Sequence, residues 1–155
     1  MTERTKLLLR ENKIMSQTTR LYTKLNNFLK DDGDVTQILY AIYMEEGQTQ
    51  KQISDGYGIP PQTVNNVVLE MQKNGHVVLE EDEKDKRRKK IKFTEKGQEF
   101  AKEKIGTILS LEKKAISAMG IENYKKIVEL QELYYSSFKT EIEKFMKSQK
   151  IKTDK

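Results

Sequence analysis

Along the first thirty residues, apolar side chains return at helical intervals. Ile14, Leu21, Leu25 and Phe28 stand seven, four and three residues apart, one stripe of a helix that ends before Asp31-Asp32-Gly33. Asp34 is then expected as an N-cap, with Gln37 three residues on at capping-box spacing. The run Val35, Ile38, Leu39, Ile42 and Tyr43 predicts a second helix that stops by Gly47. Thr49 and Gln52 repeat the capping-box spacing and open a short third helix, anchored by Ile53. Gly56-Tyr57-Gly58 is expected to break it, because glycine accepts turn conformations that other residues resist. Pro60 and Pro61 suit the opening of a fourth helix, where a missing N–H costs nothing. That helix carries Val64, Val67, Val68 and Met71 on one face, with Gln62, Thr63, Asn65 and Asn66 opposite, and ends at Asn74-Gly75. Two short helices joined by a glycine turn, the second apolar behind and polar in front, predict a helix-turn-helix.

The period then changes from helical to alternating. Val77 and Leu79 alternate with His76, Val78 and Glu80, and further on Ile91 and Phe93 alternate with Lys90 and Lys92. Between these two strands, Glu81 to Lys89 is charged at every position and cannot be core. Strand, charged tip and strand predict a β-hairpin that projects into solvent as a wing. From Thr94, a natural N-cap, a helix returns and runs to Gly120, with Phe100, Ile105, Ile108, Leu109, Leu111, Ala115, Ile116 and Met119 as its apolar positions. Gly106 weakens it by about 1 kcal/mol against Ala. After Gly120 a further stripe follows at Tyr124, Ile127, Leu130, Tyr134, Phe138, Ile142 and Phe145, and the basic tail from Lys147 is expected to fray.

The expected fold is therefore mostly α with a small β-hairpin wing, in one continuous domain. A winged helix-turn-helix over 34–94 is flanked by helical regions at 1–33 and 95–155. Neither terminal stripe has anything of its own to cover it. With 35% hydrophobic and 34% charged residues the chain is also lean for a self-contained core, which favours burial against another subunit. Ile14 and Leu21 at one end, and Tyr134, Phe138, Ile142 and Phe145 at the other, are the expected interface.

Charge sharpens the reading of the wing. The net charge is +5, from 29 Lys and Arg against 24 Asp and Glu. Seven of the basic residues (Lys84, Lys86, Arg87, Arg88, Lys89, Lys90, Lys92) fall within nine positions beside a single acid, Asp85. The rest of the chain holds 22 basic and 23 acidic residues, so the whole excess sits in that segment. One basic strip on a near-neutral protein points to contact with a polyanion at one place. Glu80, Glu81, Asp82 and Glu83 precede the basic residues rather than interleave with them, so the tip is expected to stay positive.

Several function classes drop out on composition. The chain has no cysteine and one histidine, His76, which rules out disulfides, thiolate zinc sites and a two-histidine zinc site within one chain. His76 lies among valines, so a packing role is expected for it. No nucleophile–base pair or metal constellation can be assembled, so neither catalysis nor a cofactor is expected. Asp31, Asp32 and Asp34 look like a calcium cluster, but no following Glu completes the spacing, and a turn with an N-cap is the expected role. No apolar run approaches the ~20 residues needed to cross a bilayer. Glu3 and Arg10 flank the first leucines and no signal peptide is expected, which leaves a cytoplasmic protein.

The two exposed surfaces suit complementary tasks. Gln62, Thr63, Asn65 and Asn66, with Pro61 at the helix opening, form a face whose amides match the donor and acceptor of adenine and whose Thr methyl can meet thymine. That face has no arginine, so affinity must come from elsewhere. Lys86, Arg87 and Arg88 at the hairpin tip can reach phosphates or place a guanidinium in the narrow minor groove, with Asp85 fixing Arg87 through a charge-assisted hydrogen bond.

These residues resemble the MarR family of winged-helix regulators. The resemblance is carried by Thr63-Val64, by Met71 through Asn74-Gly75, and above all by the wing segment from Asp85 to Gly97, DKRRKKIKFTEKG. The family's Asp-x-Arg signature matches Asp85-Lys86-Arg87, and its closing Leu-Thr-x-x-Gly stands here as Phe93-Thr94-Glu95-Lys96-Gly97. The match runs from about Val35 to Gly97 and continues outside only as an order of helices. Pro60-Pro61, and Asn66 where an arginine is frequent, depart from the pattern. The resemblance implies a homodimer with intertwined terminal helices on a pseudo-palindromic operator. It also implies one recognition helix per half-site, and wings in the minor groove led by Arg87 with Asp85 as its orienting partner. Repression of transcription, and release by a small anionic or phenolic effector, are further implications. The competing reading is an α-helical protein-interaction adaptor whose charged hairpin reads no DNA.

Overall fold

The computed structural model describes residues 1–83 and 85–153, so Lys84 of the basic strip lies outside the described residues. Eight elements follow in order: α1 (Glu3–Leu29), α2 (Gly33–Met44), α3 (Gln50–Tyr57), α4 (Pro61–Lys73), β1 (Val77–Glu81), β2 (Lys89–Phe93), α5 (Glu95–Met119) and α6 (Ile121–Thr153). They fall into two units, Met1–Thr107 and the part from Ile108 onward.

Within the first unit the core gathers around α2. Ile38, Leu39 and Ile42 of α2, Ile53 of α3, Val64 and Val68 of α4, Ile91 of β2 and Ile105 of α5 are all fully buried. Each such burial contributes about 1.5–3 kcal/mol. The wing is a two-stranded antiparallel sheet with Val77 opposite Phe93 and Leu79 opposite Ile91. Its second strand gains a partner that the sequence pattern does not announce. Thr49 bridges to Lys90, and the Ile91 N–H donates to the Gln48 carbonyl at 2.9 Å. The buried Gln48 amide also donates to the Ala41 carbonyl at 3.1 Å, closing the end of α2.

The caps explain most boundaries. Thr49 and Gln52 form the expected capping box. Thr94 accepts from the Gly97 N–H at 3.0 Å and opens α5, which stops at Gly120 with φ +85°. Three expectations are corrected. Asp32, not Asp34, caps α2: its Oδ1 accepts from the Asp34 and Val35 N–H groups at 2.9 and 3.1 Å. With Gly33 as the first helical residue, the earlier aspartate reaches both donors. Gly56 stays helical, and only Gly58, left-handed at φ +65°, ends α3. The tail from Lys147 continues as helix, with α6 running to Thr153.

In the second unit, α6 keeps its apolar stripe open, and the Tyr134 and Phe138 rings stack at 5.9 Å. No helix among the described residues is long and apolar enough to cross a membrane.

Candidate nucleic-acid interface

The turn between α3 and α4 is set by Gly58 and by the buried Ser54 hydroxyl, which donates to the Ile59 carbonyl at 2.7 Å. Pro60 and Pro61 then start α4, whose Val64, Val67, Val68 and Met71 bury its inner face. The outer face shows Pro61, Gln62 and Asn66 exposed, with Thr63 and Asn65 half-buried. Gln62 and Asn66 are joined: the Gln62 Nε2–H donates to Asn66 Oδ1 at 2.8 Å. The i,i+4 spacing is the sequence signal for such a bond.

A short joint ties this helix to the wing. The His76 N–H donates to the Met71 carbonyl at 2.8 Å, and the Lys96 ammonium donates to the Asn74 carbonyl at 2.8 Å. The Thr94 hydroxyl donates to the Gly75 carbonyl at 2.7 Å while it caps α5. Gly97 lies so close to the strand start that an added Cβ would sit 1.7 Å from the His76 carbonyl oxygen. The His76 ring stacks on Phe100 at 4.2 Å and 10°, the expected packing role. Burial, and secondarily the Lys96 charge, lower its pKa below the usual histidine value.

At the wing the hairpin changes the expected charge. Folding sets Glu80 opposite Lys90 and Glu81 opposite Lys89. Ion pairs then form between Lys92 and Glu80 at 2.6 Å and between Lys90 and Asp82 at 3.0 Å. The hydrogen bond to Glu80 raises the Lys92 pKa. Acids that precede the basic run in sequence therefore face it in space, and among the described residues the positive charge contracts to Lys86, Arg87, Arg88 and Lys89, all exposed. The expected Asp85–Arg87 hydrogen bond is present: one Asp85 oxygen accepts from the Arg87 backbone N–H and from its Nε–H, each at 3.2 Å. The other oxygen lies 3.5 Å from Arg88 Nε. Arg87 nevertheless remains 92% exposed.

Ile14 and Leu21 on α1, and Tyr134, Phe138, Ile142 and Phe145 on α6, are all exposed within the chain. Asp31 pairs with Lys104 at 2.6 Å, and the bond raises the Lys104 pKa. Among the described residues no group of three or more His, Cys, Asp or Glu side chains is disposed to hold a metal ion. An open cleft of about 420 Å³ lies between α2, β2 and α5, with Tyr43 and Phe93 as aromatic walls and Lys102, Glu46 and Glu99 as charged ones.

Two helices joined by a tight turn, followed by a two-stranded wing and flanked by long helices, define a winged helix-turn-helix protein. Residues 32–88, from the cap of α2 to the wing tip, match the sequence model of the MarR family. Its fold is similar to that of NMB1585, a MarR family regulator from Neisseria meningitidis. That comparison has a TM-score of 0.69 at 23% identity, over 90% of this chain and 96% of that one. It is also similar to S. aureus MepR in its DNA-binding conformation, with a TM-score of 0.66 at 18% identity over 86% and 98% of the chains. The transcriptional regulator BldR from Sulfolobus solfataricus matches with a TM-score of 0.58 at 19% identity, over 83% and 99%. No curated protein sequence matches this chain.

Proposed function

We propose that the chain is a homodimeric, sequence-specific double-stranded DNA-binding regulator that represses transcription from a pseudo-palindromic operator. The observation that carries this reading is the joint at Asn74 to Gly97. It ties the helix that carries the exposed amide face to the root of the hairpin whose tip is cationic, so the two can engage adjacent grooves together. In this reading Gln62, Thr63, Asn65 and Asn66 face the major groove, with Pro61 at the phosphate-side opening of the helix. Arg87 enters the minor groove, oriented by Asp85, while Lys86 and Arg88 neutralise phosphates. The open stripes on α1 and α6 supply the dimer, and a chromosomal operator places the protein in the cytoplasm. A small phenolic or anionic effector would use the cleft beside Tyr43 and Phe93, where Lys102 supplies the cation.

Salt titration tests the core of the proposal. A protein making 6–10 phosphate contacts loses about 10³–10⁵ in affinity between 50 and 200 mM salt. The dimer is expected to show such a loss on random duplex. An affinity that does not move with salt would leave the charged hairpin to a protein partner instead.

A further inference from the structure

We infer that Gln62 and Asn66 act as one reading unit that selects a single adenine in each half-site, an inference that rests on the DNA-binding reading above. Both side chains are exposed on the first turns of α4, the end of a recognition helix that meets base edges. The bond between them, 2.8 Å from Gln62 Nε2 to Asn66 Oδ1, consumes one Gln62 N–H and one Asn66 lone pair. Gln62 Oε1 remains as an acceptor and Asn66 Nδ2 as a donor, both carried by the joined pair. In the major groove adenine offers an acceptor at N7 next to a donor at N6. Guanine offers two acceptors, cytosine a donor, and thymine an acceptor beside a methyl group. Adenine is the base whose edge complements an acceptor and a donor together.

The bond also settles how many bases the pair reads. Two independent carboxamides can each rotate to suit a separate base pair. Joined, they are ordered before binding, which lowers the entropy cost of contact. Loss of either side chain then leaves the other free to rotate, so both substitutions damage recognition of the same base.

The test uses the full chain and duplexes carrying its selected half-site with every base substituted in turn, read by fluorescence anisotropy. Wild type is expected to prefer A·T at one position by about 5- to 150-fold, the discrimination that a bidentate contact supplies. Gln62→Ala and Asn66→Ala should each flatten that same position, and the double variant should lose nothing further. Gln62→Glu should turn the Asn66 amide donor inward onto the new carboxylate, leave acceptors outward, and move the preference from adenine towards cytosine. Single substitutions that flatten different positions, a double loss equal to the sum of the two, or an adenine preference that survives Gln62→Glu would each overturn the inference. Wild type that binds no duplex in a salt-dependent way refutes the DNA-binding reading itself, a result distinct from these.

Discussion

Asp85 serves two guanidinium groups with one carboxylate, and this decides what the wing tip can do. The pairs it makes are exposed, so they add little to stability. Their effect is to tie Arg87 Nε to Asp85 while the rest of the side chain stays open to solvent. Arg87→Ala is expected to weaken duplex binding by about 1–3 kcal/mol, chiefly for A·T-rich flanks, with unfolding unchanged. Competition binding with flanks of different composition reads this out. His76 gives a second expectation. Its pKa is lowered in the fold, so the unfolded chain takes up a proton first as pH falls. Its stabilising share is full above the ordinary histidine value of about 6.5 and is lost as the pH drops through the lower folded value. Urea midpoints at pH 7 and pH 5 should therefore differ more for wild type than for His76→Phe, which keeps the stack on Phe100.

Between elements, the tightest constraint is Gly97 against the start of β1. No shift of a flexible side chain can admit a Cβ that would fall 1.7 Å from a backbone carbonyl oxygen. Gly97→Ala must pry α5 from the wing root, and overpacking of that kind costs about 1–3 kcal/mol or more. Thermal melting is expected to show it, along with loss of duplex binding out of proportion to the loss of helix. Thr49→Ala should cost about 1 kcal/mol through its capping box alone. The order of elements was legible because helical and alternating periods do not resemble each other, and because Thr49, Pro61 and Thr94 mark starts by their own chemistry. The wing's charge was less legible. Linear order separates Glu80 and Asp82 from Lys90 and Lys92, and only the hairpin register brings them together. Asp32 and Asp34 offer the same capping chemistry two residues apart, so pattern alone does not choose between them. The Gln48–Thr49 bridge is too short to leave any period at all. On the outer face of α4, the run of polar side chains was legible, whereas the Gln62–Asn66 bond needed the side-chain geometry.

At the scale of the whole molecule, the apolar surface left open is the governing fact. Phe28 is 82% exposed, and Leu130, Leu133, Tyr135 and Phe145 are each more than 60% exposed. Burying such side chains against a second copy would recover about 1.5–3 kcal/mol apiece. Phe138→Asp, on the same α6 stripe, is therefore expected to give monomer or unfolded chain in sizing chromatography, whereas an intact dimer would move the interface elsewhere. A dimer of this kind presents two α4 helices and two wings, and such dimers bind half-sites a helical turn apart, about 10–10.5 base pairs. Selection of bound sequences from a random duplex pool tests that claim most directly. The expected result is an enriched pseudo-palindrome with two half-sites at that spacing and A·T-rich flanks. A pool that emerges unenriched, or enriched only in a single unrepeated site, would contradict it.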